Sequence, residues 1–294
     1  MKINTNRTDF NIISNWVNDK SKVLDLGCGD GSLLNFLKER KNITGFGIEK
    51  DQDNWLTNSL SITMRTPGHD DDLVRGFLYN EQIIQSIDEI DKIESFGDKV
   101  GQYNIQNKIQ ITLNNSKNIN ISKIKRDFMT NSSCGVCGKS SLDALEIIKK
   151  EKTSSSDPKL TKEIVIQSPK ILRNNQSEFS KTGGIHASGL FSLDGKLISL
   201  REDVGRHNAL DKMIGNALNN NQIEPKNQFI TCSGRLNFEL VQKVLMTNIS
   251  LMIGVGAPTS LAIDLANRFD MTLIGFVKED SFNIYTNNQK VIVS

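Results

Sequence analysis

From residue 228 onward one pattern repeats, and it leaves few folds open. "QFITCSG", "SLMIGVG" and "MTLIGFV" are apolar runs of strand length, each with a glycine near its end. Between them, "NFELVQKVLMTN" and "SLAIDLANRF" space their apolar residues along one helical face. Strands and helices in alternation build a layered α/β structure. Just upstream, "IHASGLFSL" and "KLISLRED" meet at Asp194-Gly195, a hairpin turn sequence, and "HNALDKMIGNAL" is an amphipathic helix. Residues 162–184 read as one helix stopped by glycine. Residues 158–294 are therefore expected to form a mixed sheet flanked by helices.

The pattern thins before that. In residues 55–157, "LSITM" reads as a short strand, and Pro67-Gly68 as a turn. An acid-started helix follows, with Leu73, Val74, Phe77 and Leu78 on one side. "KIQITL" and "INISKI" alternate around an Asn-rich turn and predict a hairpin. Ser140 and Asp143 form a capping box for a helix over 142–150, and "EKTSSSDPK" is a linker. This is a smaller, strand-rich part. Residues 1–54 are different again. A helix over 9–17 leads to the strand "KVLDL", the turn "GCGDG", the helix "SLLNFLKER" and the strand "ITGFGIE", with Glu49 closing a βαβ unit.

Charge and cysteine usage narrow the class. Thirty-six basic and 34 acidic residues leave a net +2, too little to draw nucleic acid or a membrane surface. The opening "MKINTNRTDF" lacks the apolar core of a signal peptide, and the longest apolar run, around residues 251–255, is too short for a bilayer. A cytoplasmic protein that binds neither nucleic acid nor membrane is expected. Four cysteines in 294 residues make no disulfide framework. In a reducing compartment a close cysteine pair is more often catalytic or metal-binding.

That pair is Cys134 and Cys137, in "TNSSCGVCGKSS". A zinc clip, a redox switch and a carrier of sulfur all fit the spacing. Zinc needs further ligands, and a lone histidine such as His186 or His207 is more often structural, while Cys232 stands alone. The flanking glycines leave the sulfurs uncrowded, and the start of the next helix favours thiolate modestly. A second constellation lies in "REDVGRHN", "SGR" and "APTS", three loops between strands and helices. Helix N-termini there, with Arg206 and Arg235, suit an anionic ligand. In "GFVKEDSFNIYT", Lys278 and Ser281 face two readings, a phosphate contact or a plain hairpin turn, and the residues alone favour the turn.

Two resemblances add to this reading. The stretch around "KVLDLGCGDG" is similar to the opening of class I S-adenosylmethionine methyltransferases of the MetW type. It implies Asp25, Gly27 and Gly29 near the methionine and Glu49 at the ribose. It stops near residue 50, so a truncated βαβ fragment is expected here, not methyl transfer. From about residue 55 to the end, "TMRTPGHDDDLVRGFLYNEQII", "SSCGVCG", "TGGIHASGLFSLDGKLISLREDVGRHNALDKMIG", "SGRLNFELVQKV", "APTSLAIDLA" and "TLIGFVKEDSFNIYT" resemble, in this order, the FdhD/NarQ accessory sulfurtransferases of formate dehydrogenase. That resemblance implies a cytidine deaminase-like fold without the deaminase zinc signature. It implies a cysteine desulfurase that loads a persulfide on Cys134, with Cys137 as its partner. The acceptor would be the molybdenum (or tungsten) bis(molybdopterin guanine dinucleotide) cofactor, as bound substrate, with no tightly held metal of the protein's own. Phe276, Val277, Lys278, Glu279, Asp280 and Ser281 match the family's cofactor-binding segment. Formate dehydrogenase is the implied client and a homodimer the implied assembly. A non-catalytic cofactor chaperone and a methyltransferase are the alternatives.

Overall fold

Consecutive residues of the central strands enter two different cores, and this sets the architecture. Leu190, Ile230, Met252 and Leu273 belong to one buried cluster, while their neighbours Phe191, Phe229, Leu251 and Ile274 belong to the other. A strand alternates its side chains, so a sheet that is apolar at every position must be covered on both faces. The computed structural model describes residues 13–15, 17–20, 22–26, 32–41, 44–48, 61–100, 104–114 and 159–292. Contacts divide the chain into two units, Met1–Ile62 and Thr63–Ser294.

In the first unit, β1 (Lys22–Leu26) and β2 (Thr44–Ile48) pair in parallel, with α1 (Ser32–Lys41) between them in sequence. This is the expected βαβ connection. Gly27, Gly29 and Glu49 lie outside the described residues.

The second unit opens with α2 (Asp70–Asn80), then β3 (Ile90–Val100) and β4 (Ile105–Leu113), an antiparallel pair. After β5 (Leu160–Thr161) come α3 (Lys162–Asn174), α4 (Ser177–Thr182), β6 (His186–Ser192), β7 (Leu197–Asp203) and α5 (Arg206–Asn219). The remainder is β8 (Gln228–Cys232), α6 (Phe238–Met246), β9 (Leu251–Gly254), α7 (Ser260–Arg268), β10 (Thr272–Gly275), β11 (Asn283–Ile284) and β12 (Val291–Ile292). The main sheet runs β11-β10-β9-β8-β6-β7, and β5 pairs with β12. Strands β8, β9 and β10 are parallel, and β6 is antiparallel to both β7 and β8. So β7, β8, β9 and β10 all point one way, and their carboxyl ends share one edge. Helices α5, α6 and α7 cover one face, and α3 supplies Val165 and Leu172 to the other. Phe191 and Phe229, opposite each other on β6 and β8, stack with centroids 5.2 Å apart.

Helix α2 is pressed onto α5 by two glycines. A Cβ at Gly76 would lie 1.9 Å from the Asp211 carbonyl oxygen, and one at Gly215 would lie 2.0 Å from that of Asp72. No side chain fits at either position.

Three expectations need correction. The "LSITM" stretch is not a strand where it is described: Met64 O accepts from the Asn208 side chain, and just beyond the stretch Thr66 N donates to Asp203. The single helix over 162–184 is two. The break at Asn175 and Gln176 lets the Glu202 carboxylate accept the Glu178 and Phe179 N–H groups at 2.9 Å, capping α4. The "KIQITL" strand belongs to β4 but pairs with β3, and "INISKI" lies outside the described residues. Among the described residues, no helix is long and apolar enough to cross a membrane.

Candidate functional site

The carboxyl edge gathers the loops that the sequence singled out. Residues 204–205 lead from β7 into α5, 233–237 from β8 into α6, and 255–259 from β9 into α7. The 276–282 loop follows β10. Backbone bonds knit them together: Gly256 N donates to Gly234 O at 3.1 Å, Phe276 N to Gly256 O at 3.2 Å, and Thr259 N to Leu236 O at 2.9 Å. Two helices are capped by their own side chains, α6 by Asn237 and α7 by Thr259. Helix α5 starts at Gly205 without a side-chain cap.

Arg206 and Arg235 stand at this edge with neither an acidic partner nor a hydrogen-bond acceptor among the described residues, and Arg206 Nε is buried. By contrast, Arg65, Arg75 and Arg201 are paired with Asp70, Asp71 and Asp72. His186, the first residue of β6, lies against Gly234, where a Cβ would sit 3.2 Å from Nδ1 and 3.9 Å from Arg206 Cδ. Burial lowers the His186 pKa, and the charges of Arg206 and His207 add to that. Around His186 and Arg206 the edge is thus cationic, and neither arginine has a counter-charge among the described residues.

His207 is not the isolated histidine its sequence context implies. Its Nε2 lies 2.8 Å from Glu239 Oε2 and close to the Asn237 amide. The bond to His207 holds the Glu239 pKa below the usual carboxylate range, against the opposing effect of burial.

Beneath the edge, Asp203 ties the start of α5 to the 63–66 segment. Its Oδ1 accepts from Gly205 N at 2.9 Å and Asn208 Nδ2 at 3.2 Å, and its Oδ2 from Thr66 N at 3.0 Å. Lys212 Nζ lies 2.7 Å from the same Oδ2, with both side chains almost fully buried. Farther along α5, Lys243 Nζ is bound by Asp211 at 2.9 Å and Glu81 at 3.0 Å. Burial works against the Lys243 charge, but these carboxylates outweigh it and raise its pKa.

The segment matched to cofactor binding also lies here. Phe276 and Val277 bond to Gly256 and Gly254 at the end of β9, and Lys278 N donates to Ser281 O at 2.8 Å. Lys278, Glu279, Asp280 and Ser281 are exposed. Phe276 has φ +52°, a left-handed conformation that is costly for a bulky residue and concentrated at functional positions. Val204, Val255 and Phe276, each the first residue after its strand, are 53%, 40% and 43% exposed.

Cys134 and Cys137 lie outside the described residues. Cys232 is described and is no nucleophile. It is buried, and burial pushes its thiol up to about 11, with the Ser188 bond acting the other way. Among the described residues no group of histidine, cysteine and carboxylate side chains is placed to hold a metal ion. The sequence singled out Arg206 and Arg235, and the family resemblance singled out the 276–281 segment. Sequence reasoning missed Glu239, Asn237 and Asp203, although Asp203 sits within the "REDVGRHN" loop and Glu239 two residues after an N-cap.

Comparison with known proteins covers the same part of the chain. The FdhD/NarQ family model matches residues 54–292, and the model "Methionine biosynthesis protein MetW" matches residues 7–75. A sulfur carrier protein FdhD from Sulfolobus acidocaldarius is 41% identical over 233 residues, covering 79% of this chain and 85% of the relative. One from Streptomyces coelicolor is 40% identical, covering 79% and 83%. A crystal structure described as a formate dehydrogenase accessory protein from Desulfotalea psychrophila superposes with a TM-score of 0.57 at 23% identity. It covers 78% of this chain and 83% of that one, and it supports the fold.

Proposed function

The chain belongs to the FdhD/NarQ family, and from that premise we propose that it is a sulfur carrier serving formate dehydrogenase. In this reading the Cys134 thiolate attacks the outer sulfur of a persulfide on a cysteine desulfurase. The desulfurase S–S bond breaks, its cysteine leaves as thiolate, and Cys134 holds the persulfide. Cys137 assists the handover. The acceptor is the bis(molybdopterin guanine dinucleotide) form of a molybdenum or tungsten cofactor, bound as substrate before it enters the dehydrogenase. The carrier works in the cytoplasm as a homodimer.

One observation carries the cofactor half of the reading. Among the described residues Arg206 and Arg235 have no counter-charge, at an edge where the start of α5, without a side-chain cap, adds its own positive potential. Arg206 Nε is buried without an acceptor, and a phosphate accepts from a guanidinium with bidentate geometry. Lys278 is exposed in the 276–281 segment, beside Glu279 and Asp280. The sulfur half rests on the family and on the Cys134–Cys137 spacing, since Cys232 is buried and protonated at neutral pH.

The test is complementation. A strain that lacks its own carrier should regain formate dehydrogenase activity with the full chain and not with Cys134→Ala. Restoration by Cys134→Ala contradicts sulfur transfer through that residue and favours a cofactor chaperone.

A further inference from the structure

We propose that the outer edge of β3 is the interface of the homodimer, pairing antiparallel with β3 of a second copy about a two-fold axis at Ser95; this rests on the homodimer reading above. Strands β3 and β4 form a two-stranded sheet of their own, not joined to the main sheet. Among the described residues β3 pairs with β4 alone, so its other edge carries unpaired backbone N–H and C=O groups. A lone two-stranded hairpin is marginal in water, and further strands are what make it durable. Strand β3 has eleven residues, an edge about 36 Å long.

The charges of β3 select a second copy as the partner. "IDKIESFGDKV" carries an Asp-Lys step near each end, Asp91-Lys92 and Asp98-Lys99, and all four side chains are exposed. An antiparallel copy centred on Ser95 sets residue 91 opposite 99 and residue 92 opposite 98. Each of these is an Asp–Lys pair, and the two-fold axis repeats both. A slip of one residue sets Asp91 opposite Asp98, or Lys92 opposite Lys99. A slip of two sets Glu94 opposite Glu94 or Asp98. Like charges directly opposite are destabilising, so one register is favoured over its neighbours. No salt bridge engages Asp91, Asp98 or Lys99 among the described residues, and Lys92 holds only the exposed Glu94, at 2.7 Å.

Charges and bulges at an edge can also keep a second strand away. Repulsion by charge requires like charges to meet, as in a row of lysines, and here opposite charges meet. The register irregularities of β3 fall at residues 90–92 and 96–99. About Ser95 each faces the other in the copy, so extra residue meets extra residue and the strands stay in step. Ile90, Ile93, Ile109, Ile111 and Leu113 share one half-buried face of the hairpin. Pairing through β3 continues that face across a four-stranded sheet.

The experiment is sedimentation velocity at low salt on the full chain, as wild type, Lys99→Asp and Asp91→Lys, and on a mixture of the two variants. Both residues are exposed and outside the buried cores, so the variants keep their fold, which circular dichroism verifies. The wild type is expected to be a dimer that weakens as salt is added. Each variant alone sets two like-charged pairs across the axis and should dimerise roughly tenfold more weakly. Mixed, the two variants pair Asp91 with Lys99 and the new Asp with the new Lys, so heterodimers of wild-type affinity should form. A dimer that neither variant weakens overturns this interface and leaves the homodimer reading standing, as does a mixture that recovers nothing. A monomeric wild type overturns both.

Discussion

Replacing Asp203 by asparagine changes almost no volume and removes one charge, so it isolates the electrostatic work done beneath the candidate site. The carboxylate accepts three N–H bonds, from Gly205, Asn208 and Thr66, and pairs with Lys212 at 2.7 Å. Lys212 is 1% exposed and Asp203 0%, so neither group has water to fall back on. In the variant, the new amide nitrogen faces at least one N–H donor, and Lys212 keeps only the Thr66 carbonyl, at 2.8 Å. Breaking one side of a buried pair costs about 3–5 kcal/mol, a large part of the roughly 5–15 kcal/mol that holds a domain together. Urea denaturation followed by circular dichroism should show that loss as a lower midpoint with little change in slope. The double variant Asp203→Asn with Lys212→Met removes the stranded charge and should recover about 2 kcal/mol of it. A loss below about 1 kcal/mol, or a double variant no better than the single one, would refute the claim that this ion pair anchors the start of α5.

Other outcomes follow from the same geometry. Gly76→Ala should cost about 1–3 kcal/mol or more by the same denaturation assay, because its Cβ would land 1.9 Å from the Asp211 carbonyl oxygen. Peptide mapping after iodoacetamide at pH 8 should find Cys232 unmodified in the native protein and modified after unfolding, given a thiol pKa of about 11. Glu239 has a folded pKa below its ordinary 4.5, so its contribution is present above that value and lost as pH falls through the folded pKa. Glu239→Gln should therefore lower thermal stability at pH 7, and the gap from wild type should close as the pH is taken below 4.5. Arg235→Glu or Lys278→Glu should weaken GDP binding in low-salt calorimetry through charge reversal, and unchanged affinity would move the phosphate site elsewhere.

The sheet was legible because its information is local. "QFITCSG", "SLMIGVG" and "MTLIGFV" put apolar residues at consecutive positions, which suits strands covered on both faces, and Asp194-Gly195 marks its own turn. Strand β3 was not legible. "IDKIESFGDKV" is highly charged, eight of its positions are exposed, and Gly97 sits at a register shift, so nothing local announces a strand. The 63–66 segment misled for a related reason. Its partners are the Asp203 and Asn208 side chains, more than 130 residues away. Arginines in loops between strands and helices were readable as anion ligands from composition and position. That they have no partner among the described residues, while Arg65, Arg75 and Arg201 do, is a three-dimensional fact. The His207–Glu239 contact joins the starts of two helices 32 residues apart, and no spacing rule anticipates it.

The central claim, that sulfur travels on Cys134, is tested most directly by the intact mass of the protein. The full chain is incubated with cysteine and a cysteine desulfurase, separated without reductant and weighed by mass spectrometry. The account predicts a gain of one sulfur atom that dithiothreitol removes. It also predicts no gain in Cys134→Ala and a retained gain in Cys137→Ala. An unchanged wild-type mass, or a sulfur adduct that persists in Cys134→Ala, would contradict it.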